Sequence, residues 1–275
     1  MTKLEDIKNH FGEPVYYMVS CGSTMDDARR LAVEGARHGT ALMAGFQTRG
    51  RGRRETRHWT ASAGKNLTFT LILRYSKFSQ IPEALTLRSG IAVVNAIAAE
   101  TPTLDSHLAV KWPNDVMLNG KKCAGIIAEN DGGVVLLGIG LNIMEDFSVL
   151  PPENTSYGVT SIASELAAVD TDAAAFYANE PRIIDRLLEK VLFSLCYALS
   201  SSFDQLWRAE LEKRLYMKGE AVRFAAGGIS TDDNSPLRVV SGTLAGIGED
   251  GAVLILTEGE PFPQTFLTGE FVKNF

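Results

Sequence analysis

The spacing of apolar and polar residues divides the chain into a longer region of mixed strands and helices and a shorter region of strands. Alternating apolar residues from Asn66 to Leu73 predict a half-buried strand. Helical spacing predicts a core-packing helix from Pro82 to about Glu100, and a helical region from about 173 to 214 that is interrupted near 200–202. Short apolar runs predict further strands at 15–20, 40–47 and 108–112, and a hairpin with arms at 123–130 and 134–143.

Capping residues and local composition predict shorter helices. Residues 5–11 are compatible with one short helix. Ser23-Thr24 places hydroxyl groups where an N-cap belongs, with acidic residues in the following turn, so a helix should run to about Gly35. Thr160-Ser161 should cap another helix at 161–167 in the same way.

The pattern changes after Lys218-Gly219 to short strands separated by close turns. This pattern is typical of a small β-barrel. We therefore predict an α+β fold in which a mixed sheet flanked by helices occupies residues 1–216 and a small β-barrel domain occupies residues 217–275.

The segment Lys111–Asn130 reads KWPNDVMLNGKKCAGIIAEN and combines a turn with charged residues. Proline, asparagine and aspartate favour a tight corner between two strands. Such a corner can hold a carboxylate, an amide and an ammonium close together on rigid supports, and the segment then reaches the lysine pair Lys121-Lys122. An exposed lysine-rich hairpin turn would produce the same local pattern.

A second segment concentrates arginines in a glycine-containing loop. Between Gly45 and Arg74 the guanidinium groups belong to Arg49, Arg51, Arg53, Arg54 and Arg57. Arginine forks suit carboxylates and phosphates, and glycine lets backbone N–H groups approach an anion. A solvated basic loop or a nucleic-acid patch is an alternative explanation.

Glycines interrupt the two arms of the predicted hairpin. Gly125, Gly138 and Gly140 would leave a hollow over one sheet face, of a size that suits a flat bicyclic ligand. Close packing of a helix on the sheet would require glycines as well, and the local sequence does not separate the two.

Composition narrows the function classes. The 275 residues include 45% hydrophobic positions, carry a net charge of −6 and have a pI of about 5.4, which argues against general DNA binding. Three scattered cysteines indicate reduced thiols and a cytoplasmic protein. The N-terminus lacks the apolar core of a signal peptide, and no segment is expected to be long and apolar enough to cross a membrane.

Taken together, the two charged segments resemble the biotin protein ligase family. The resemblance rests on QTRGRGRR followed by a tryptophan, and on KWPND followed by a lysine seven residues after the aspartate. It extends through Ser23-Thr24, GIGLN at 138–142, GTLAGIGEDGAVLIL and TGEF. It implies a class II synthetase-like catalytic fold with an SH3-like C-terminal domain, in a short form without an N-terminal DNA-binding domain.

The resemblance also implies a reaction: ATP activates biotin as biotinyl-5′-AMP, and biotin then passes to a lysine of a biotin carboxyl carrier domain. Lys122 would sit at the reacting carboxylate and phosphate, while Arg51 and Arg53 would hold the phosphates. Lys111 and Asp115 would shape the corner. Mg²⁺ would accompany ATP, without a dedicated protein metal site.

The remaining implied contacts concern biotin and the adenylate. Hydrogen bonds to the ureido head of biotin are implied for Ser23, Thr24 and Gln47. Close backbone packing is implied for Gly50, Gly125 and Gly138, and contact with the adenylate side for Trp59 and Asn142.

The sequence departs from the family pattern at two places, and other functions compete with this hypothesis. Met25 stands where the family has asparagine, and the arginine loop is one residue longer. Lipoate ligase activity is disfavoured because the RRxSGGG signature of that family is absent. Nucleic-acid binding is disfavoured because the arginine loop has no interleaved aromatic residues. A non-catalytic biotin-binding homologue stays open. So does a homodimer, whereas no nucleic-acid or membrane partner is expected.

Overall fold

An eight-stranded sheet dominates the computed structural model, which describes residues 1–53, 58–59, 62–147, 157–227 and 238–272. Its strand order is β1-β2-β3-β6-β10-β9-β8-β7, and β2 and β3 are parallel whereas the other pairs are antiparallel. The sheet strands are β1 (Thr2–Lys3), β2 (Val15–Met18), β3 (Ala41–Ala44), β6 (Asn66–Arg74), β7 (Leu108–Lys111), β8 (Asp115–Leu118), β9 (Lys121–Asp131) and β10 (Val134–Asn142). A separate two-stranded ribbon pairs β4 (Gly50–Arg51) with β5 (His58–Trp59).

Helices cover both faces of the sheet. The helices are α1 (Thr24–Val33), α2 (Leu85–Glu100), α3 (Ile162–Val169), α4 (Thr171–Asn179), α5 (Ile183–Ala198) and α6 (Trp207–Lys213), with 3₁₀ turns at Phe78–Gln80, Pro102–His107 and Ser201–Phe203. α2 and α5 pack into the main core with apolar side chains such as Phe69 and Leu137. α1 packs on the other face, where Met25 and Ala28 share a smaller apolar cluster with Leu136.

The mixed sheet flanked by helices confirms the predicted fold class, and most predicted elements are present. Strand β6, however, is buried almost throughout, so the prediction of a half-buried strand was wrong. The threonines that alternate with its apolar residues are buried, beside β3 and beneath α1. The Thr68 hydroxyl donates to Ala44 O at 2.9 Å and the Thr70 hydroxyl donates to Thr24 Oγ1 at 2.9 Å, which satisfies both groups inside the protein.

The helix suggested for residues 5–11 does not form, since the segment adopts turns. Asn9 accounts for this because its side chain bonds to nearby backbone groups and offers the chain an alternative to helical bonds. Its Oδ1 accepts from Phe11 N at 3.1 Å, and its Nδ2 donates to Glu13 O and Gly39 O at 2.7 and 2.8 Å.

The expectation that no segment is long enough to cross a membrane needs correction. Residues Phe78–Glu100 meet that criterion by length and composition, with a mean hydropathy of 1.2. In the structure 56% of this window is buried, and α2, which forms most of it, packs against α5 and the sheet. Core helices pass the same test, so the finding is weak evidence for a membrane span.

The C-terminal strands form a second, antiparallel sheet of five strands in the order β14-β13-β12-β11-β15. They are β11 (Ala221–Ala226), β12 (Arg238–Ile247), β13 (Val253–Thr257), β14 (Gln264–Phe266) and β15 (Gly269–Val272). This sheet is consistent with an SH3-like domain, whereas closure into a barrel and the boundary at residue 217 stay predictions. The three cysteines are unpaired, as predicted.

The second sheet packs directly on the KWPND corner. Trp112 donates its Nε1–H to Gly251 O at 3.0 Å, and its ring lies 5.5 Å from that of Phe224 and 6.3 Å from that of Phe271. One apolar core therefore includes residues of both sheets.

Candidate active site

A single row of directly paired residues crosses one face of the large sheet. Directly opposed residues of neighbouring strands point to the same face, so the strand registers determine the composition of that face. The row is Ala44, Thr68, Gly140, Gly125, Asp115 and Lys111, in the order β3, β6, β10, β9, β8 and β7. Small residues lie at its centre, and opposite charges lie at one end.

The centre of the row is the predicted hollow, and an indole ring lies on it. A Cβ atom added to Gly140 would come within 2.5 Å of Trp59 Cε2, and one added to Gly125 would lie 3.5 Å from Trp59 Cζ3. The Nε1 of Trp59 is buried and bonds to none of the described residues. The glycines thus give a flat bicyclic group access to the sheet backbone, and in this structure Trp59 is that group.

The next glycine of the floor, Gly138, has a different neighbour. The Sδ of Met25 lies 3.0 Å from the position that a Cβ of Gly138 would take, and Met25 is only 3% exposed. Met25 therefore closes the α1 end of the hollow with an apolar thioether, where the family pattern has an amide.

The charged end of the row is a compact cluster. Lys122 Nζ lies 2.7 Å from Asp115 Oδ1, and Lys111 Nζ lies 3.8 Å from Asp115 Oδ2. Lys122 reaches this face because the register between β8 and β9 shifts after Val116, which pairs Lys122 with Met117 on the Asp115 side of the sheet. The tight corner at KWPND thus places the Asp115 carboxylate near the Lys111 ammonium, and Lys122 of β9 completes the cluster.

Burial and charge set the electrostatics of the cluster. Burial alone would raise the pKa of Asp115, but the ammonium groups of Lys122 and Lys111 outweigh it and the pKa lies below its ordinary value. Burial lowers the pKa of Lys111, and Asp115 opposes this effect. Lys111 also lies 4.8 Å from the centre of the Tyr157 ring. The cations of Lys111, Lys122 and Arg53 outnumber the carboxylates of Asp115 and Glu270 that act on the cluster, and the excess positive charge suits an anionic ligand.

Hydroxyl and amide groups form the opposite end of the site. Gln47 Oε1 accepts hydrogen bonds from Thr24 N at 2.7 Å and from Thr24 Oγ1 at 3.1 Å. Ser23 occupies the N-cap position of α1, but its hydroxyl makes no capping bond. That hydroxyl is buried and bonds to no other described residue, so it is available to a polar ligand.

The two loop arginines with predicted phosphate contacts lie in different places. Arg53 Nη2 donates to Gly269 O of β15 at 3.2 Å, and the Arg53 charge contributes to the lowered pKa of Asp115. Arg51 instead pairs with Glu129 at 3.0 Å and with Asp26. The structure therefore places Arg53 near the charged cluster and Arg51 at a carboxylate-rich rim. Arg54 and Arg57 lie outside the described residues.

Two other predicted ligand contacts have local structural roles here. A Cβ at Gly50 would lie 2.3 Å from Trp59 O, so Gly50 permits close pairing of β4 with β5. Asn142 is 3% exposed, and its Nδ2 donates to Thr160 O at 3.1 Å, which ties β10 to the start of α3.

Sequence reasoning named Gly140 for the hollow but omitted it from the site residues, although its pairing with Gly125 makes it central. Gly138 and Gly140 are two positions apart on one strand, and this spacing already indicated that both face the same side of the sheet. Gly269 and Glu129 were not predicted as site residues. Gly269 lies in the TGEF segment of the resemblance, but its contact with Arg53 and that of Glu129 with Arg51 span 216 and 78 residues, which no local pattern encodes.

Part of the chain matches a protein family model, and the chain is similar to curated proteins and to solved structures. Residues 21–144 match the model of the Biotin/lipoate A/B protein ligase family. The chain is 35% identical over 147 residues to the bifunctional ligase/repressor BirA of Bacillus subtilis, an alignment that covers 52% of this chain and 44% of that protein. It is 36% identical over 137 residues to the biotin–[acetyl-CoA-carboxylase] ligase of Mycobacterium tuberculosis, covering 49% and 51% respectively.

The chain thus spans about half the length of the curated relatives it matches. The likeness among solved structures is more extensive. The biotin protein ligase of Aquifex aeolicus in complex with biotin and ATP aligns with a TM-score of 0.69 at 26% identity, over 94% of this chain and 97% of that one. Residues 21–144 thus resemble the biotin/lipoate A/B protein ligase family, and the likeness in fold to the Aquifex aeolicus ligase extends over 94% of the chain.

Proposed function

We propose that the protein is an ATP-dependent biotin protein ligase that forms biotinyl-5′-AMP and transfers biotin to a lysine of a biotin carboxyl carrier domain. The observation that carries this proposal is the cross-strand row itself. It places a glycine floor for a flat ligand beside Lys122 and Asp115, at a corner with excess positive charge.

The first step joins two anions, so it requires fixed positive charge. A carboxylate oxygen of biotin attacks the α-phosphorus of ATP, and the bond from that phosphorus to pyrophosphate breaks. Lys122 is held by Asp115 at 2.7 Å and is 25% exposed, so its ammonium group is oriented yet open to a ligand. Preorganised charge of this kind stabilises the negative charge that develops on the oxygens in the transition state.

In the second step the neutral amine of an acceptor lysine attacks the acyl carbon. The bond from that carbon to the phosphate oxygen breaks, AMP leaves, and the nitrogen loses its proton to water. The lowered pKa of Asp115 and its ion pairs make it a weak base, so it orients Lys122 and Lys111 and does not accept the amine proton. Mg²⁺ enters with ATP as part of the substrate. The described residues contain no group of three or more His, Cys, Asp or Glu side chains that could hold a metal ion.

The ends of the row support a direction for biotin in the site. The buried Ser23 hydroxyl and the Gln47 amide lie at the α1 end and suit the ureido head of biotin. Lys122 lies at the other end and suits the carboxylate. The Aquifex aeolicus relative, which was solved with biotin and ATP, supports the same pair of substrates.

The decisive experiment supplies labelled biotin, ATP and a biotin carboxyl carrier domain, and measures pyrophosphate release and label on the carrier. We expect pyrophosphate with biotin and ATP alone, and labelled carrier when all three are present. Lipoate in place of biotin is the matched control. Labelling with lipoate in preference to biotin would assign the other chemistry of the family, and biotin binding without pyrophosphate release would indicate a non-catalytic protein.

A further inference from the structure

Four charged side chains form a closed ring at the rim of the hollow, outside the catalytic cluster. Arg51 Nη1 lies 3.0 Å from Glu129 Oε1, and Arg51 also pairs with Asp26. Arg29 pairs with the same two carboxylates, at 3.5 Å to Asp26 Oδ1 and in a short contact with Glu129. The ring alternates cation and anion, and its formal charges sum to zero.

The ring connects three elements that form or cover the site. Asp26 and Arg29 lie on α1, Glu129 lies on β9 and Arg51 lies on β4. Gly125 and Glu129 are separated by an even number of positions on β9, so both face the site side of the sheet. The two carboxylates therefore hold the start of the arginine loop against the wall of the hollow.

The position of Arg51 also affects Trp59, because the two residues lie on the paired strands β4 and β5. β4 and β5 are paired, with Arg51 opposite residue 58 and Gly50 opposite Trp59. Fixing Arg51 at the rim therefore fixes the position from which Trp59 extends over Gly140. Arg53, two residues further on, lies near the charged cluster and is not part of the ring.

From this arrangement we infer that Asp26 and Glu129 are positioning residues, which use Arg51 to anchor the paired strands β4 and β5 beside the site. In this role Arg51 neutralises two carboxylates and holds β4 at the rim, while Arg53 and Lys122 face the anionic ligand. The role of this anchor in retaining the adenylate rests on the proposed ligase function. The anchor itself can be measured without any ligand.

The anchor is tested with Asp26→Asn, Glu129→Gln and the double variant. The control is Glu210→Gln, which removes a carboxylate from an exposed ion pair with Lys213 on α6. In the absence of ligands, the double variant should be cut by trypsin after Arg51 and Arg53 faster than wild type, and the fluorescence of Trp59 should change. The control should behave as wild type, and melting temperatures should be similar in all four variants, since partly exposed pairs contribute little to global stability.

The second readout is the dissociation rate of a non-hydrolysable biotinyl-adenylate analogue. The double variant removes all four ion pairs of the ring, of which the two made by Arg51 hold β4. Loss of two partly exposed ion pairs corresponds to about a 2- to 10-fold effect on an equilibrium, so the double variant should release the analogue about 2- to 10-fold faster. High salt should reduce the difference, because it screens the pairs in wild type.

The opposite role for Arg51 gives an opposite result. If the carboxylates only restrain an arginine that binds phosphate, their removal should lower KM for ATP and slow release of the analogue, which would overturn the anchor. Unchanged cleavage and unchanged analogue release would overturn it as well. The single Glu129→Gln variant repeats the test if the double variant does not fold. Faster cleavage in a protein that forms no adenylate would instead keep the anchor and reject the proposed ligase activity.

Discussion

At the scale of single residues, Lys122 and Lys121 show how two adjacent lysines acquire different roles. Lys122 faces Asp115 across the sheet at 2.7 Å, whereas Lys121 pairs with Glu165 at 2.8 Å and is half exposed. Adjacent strand residues point to opposite faces of the sheet, and the register shift between β8 and β9 places Lys122 on the Asp115 face. The pair therefore provides a matched control within the chain.

We expect Lys122→Ala to reduce adenylate formation by about 10²- to 10³-fold, the usual effect of removing a preorganised group at a developing anion. Lys121→Ala should retain most of the activity. Pyrophosphate release from biotin and ATP measures both variants, and circular dichroism checks that they fold. Wild-type release rates in Lys122→Ala would reject the assigned role.

At the scale of elements, the β7–β8 hairpin and β9 bring Lys111, Asp115 and Lys122 together within the protein. Pro113 and Asn114 supply the turn, as the sequence predicted, and Asn114 Nδ2 donates to Ile126 O at 2.7 Å to tie the corner to β9. The corner is thus held by backbone contacts as well as by charge.

The lowered pKa of Asp115 predicts a pH-dependent contribution to stability. Because the folded-state pKa is below the unfolded value of about 3.9, the contribution is complete above that value and is lost as pH falls through the folded-state pKa. The free energy of unfolding of wild type should therefore exceed that of Asp115→Asn by about 1–3 kcal/mol near neutral pH, as is typical of a hydrogen bond to a charged group.

This difference should shrink as the pH falls below about 4, and urea unfolding at several pH values measures it. A difference that stays constant down to the acid limit would show that Asp115 stabilises the corner by shape and not by charge.

At the scale of the whole molecule, the C-terminal sheet takes part in the site. β15 supplies Gly269 O to Arg53 and the ring of Phe271 to Lys111, whose Nζ lies 5.9 Å from the ring centre. Phe271 is 2% exposed and also packs on Trp112 and Phe224. The second sheet therefore acts as one wall of the charged corner.

Phe271→Ala should lower the free energy of unfolding by about 3–5 kcal/mol, as is usual for loss of a buried phenylalanine. It should also reduce adenylate formation at temperatures where the variant is folded. Phe203→Ala is the control, because Phe203 is 3% exposed, packs on Tyr197 and Arg88, and lies outside the site described here. Equal loss of specific activity in both variants would reject a role for the second sheet in the site.

The sequence by itself determined the elements whose signals are local. Alternation, helical spacing and turn residues located β9, β10, α2 and the KWPND corner, because strand and helix periods and turn geometry depend on neighbouring residues. The charged and glycine-rich motifs likewise located Lys122, Asp115 and Gly125. These residues lie within one hairpin and its adjoining corner, so their proximity follows from short connections.

Only the tertiary structure decided which faces are buried and which distant charges meet. Thr68 and Thr70 look solvent-facing by alternation, but α1 and neighbouring strands cover them and their hydroxyls bond inside the protein. Arg51 meets Asp26 and Glu129 across 25 and 78 residues of sequence, and no periodicity encodes such a contact. The order of strands in the sheet and the packing of α1 on one face produce it, because long-range pairing depends on which surfaces the folded chain brings together.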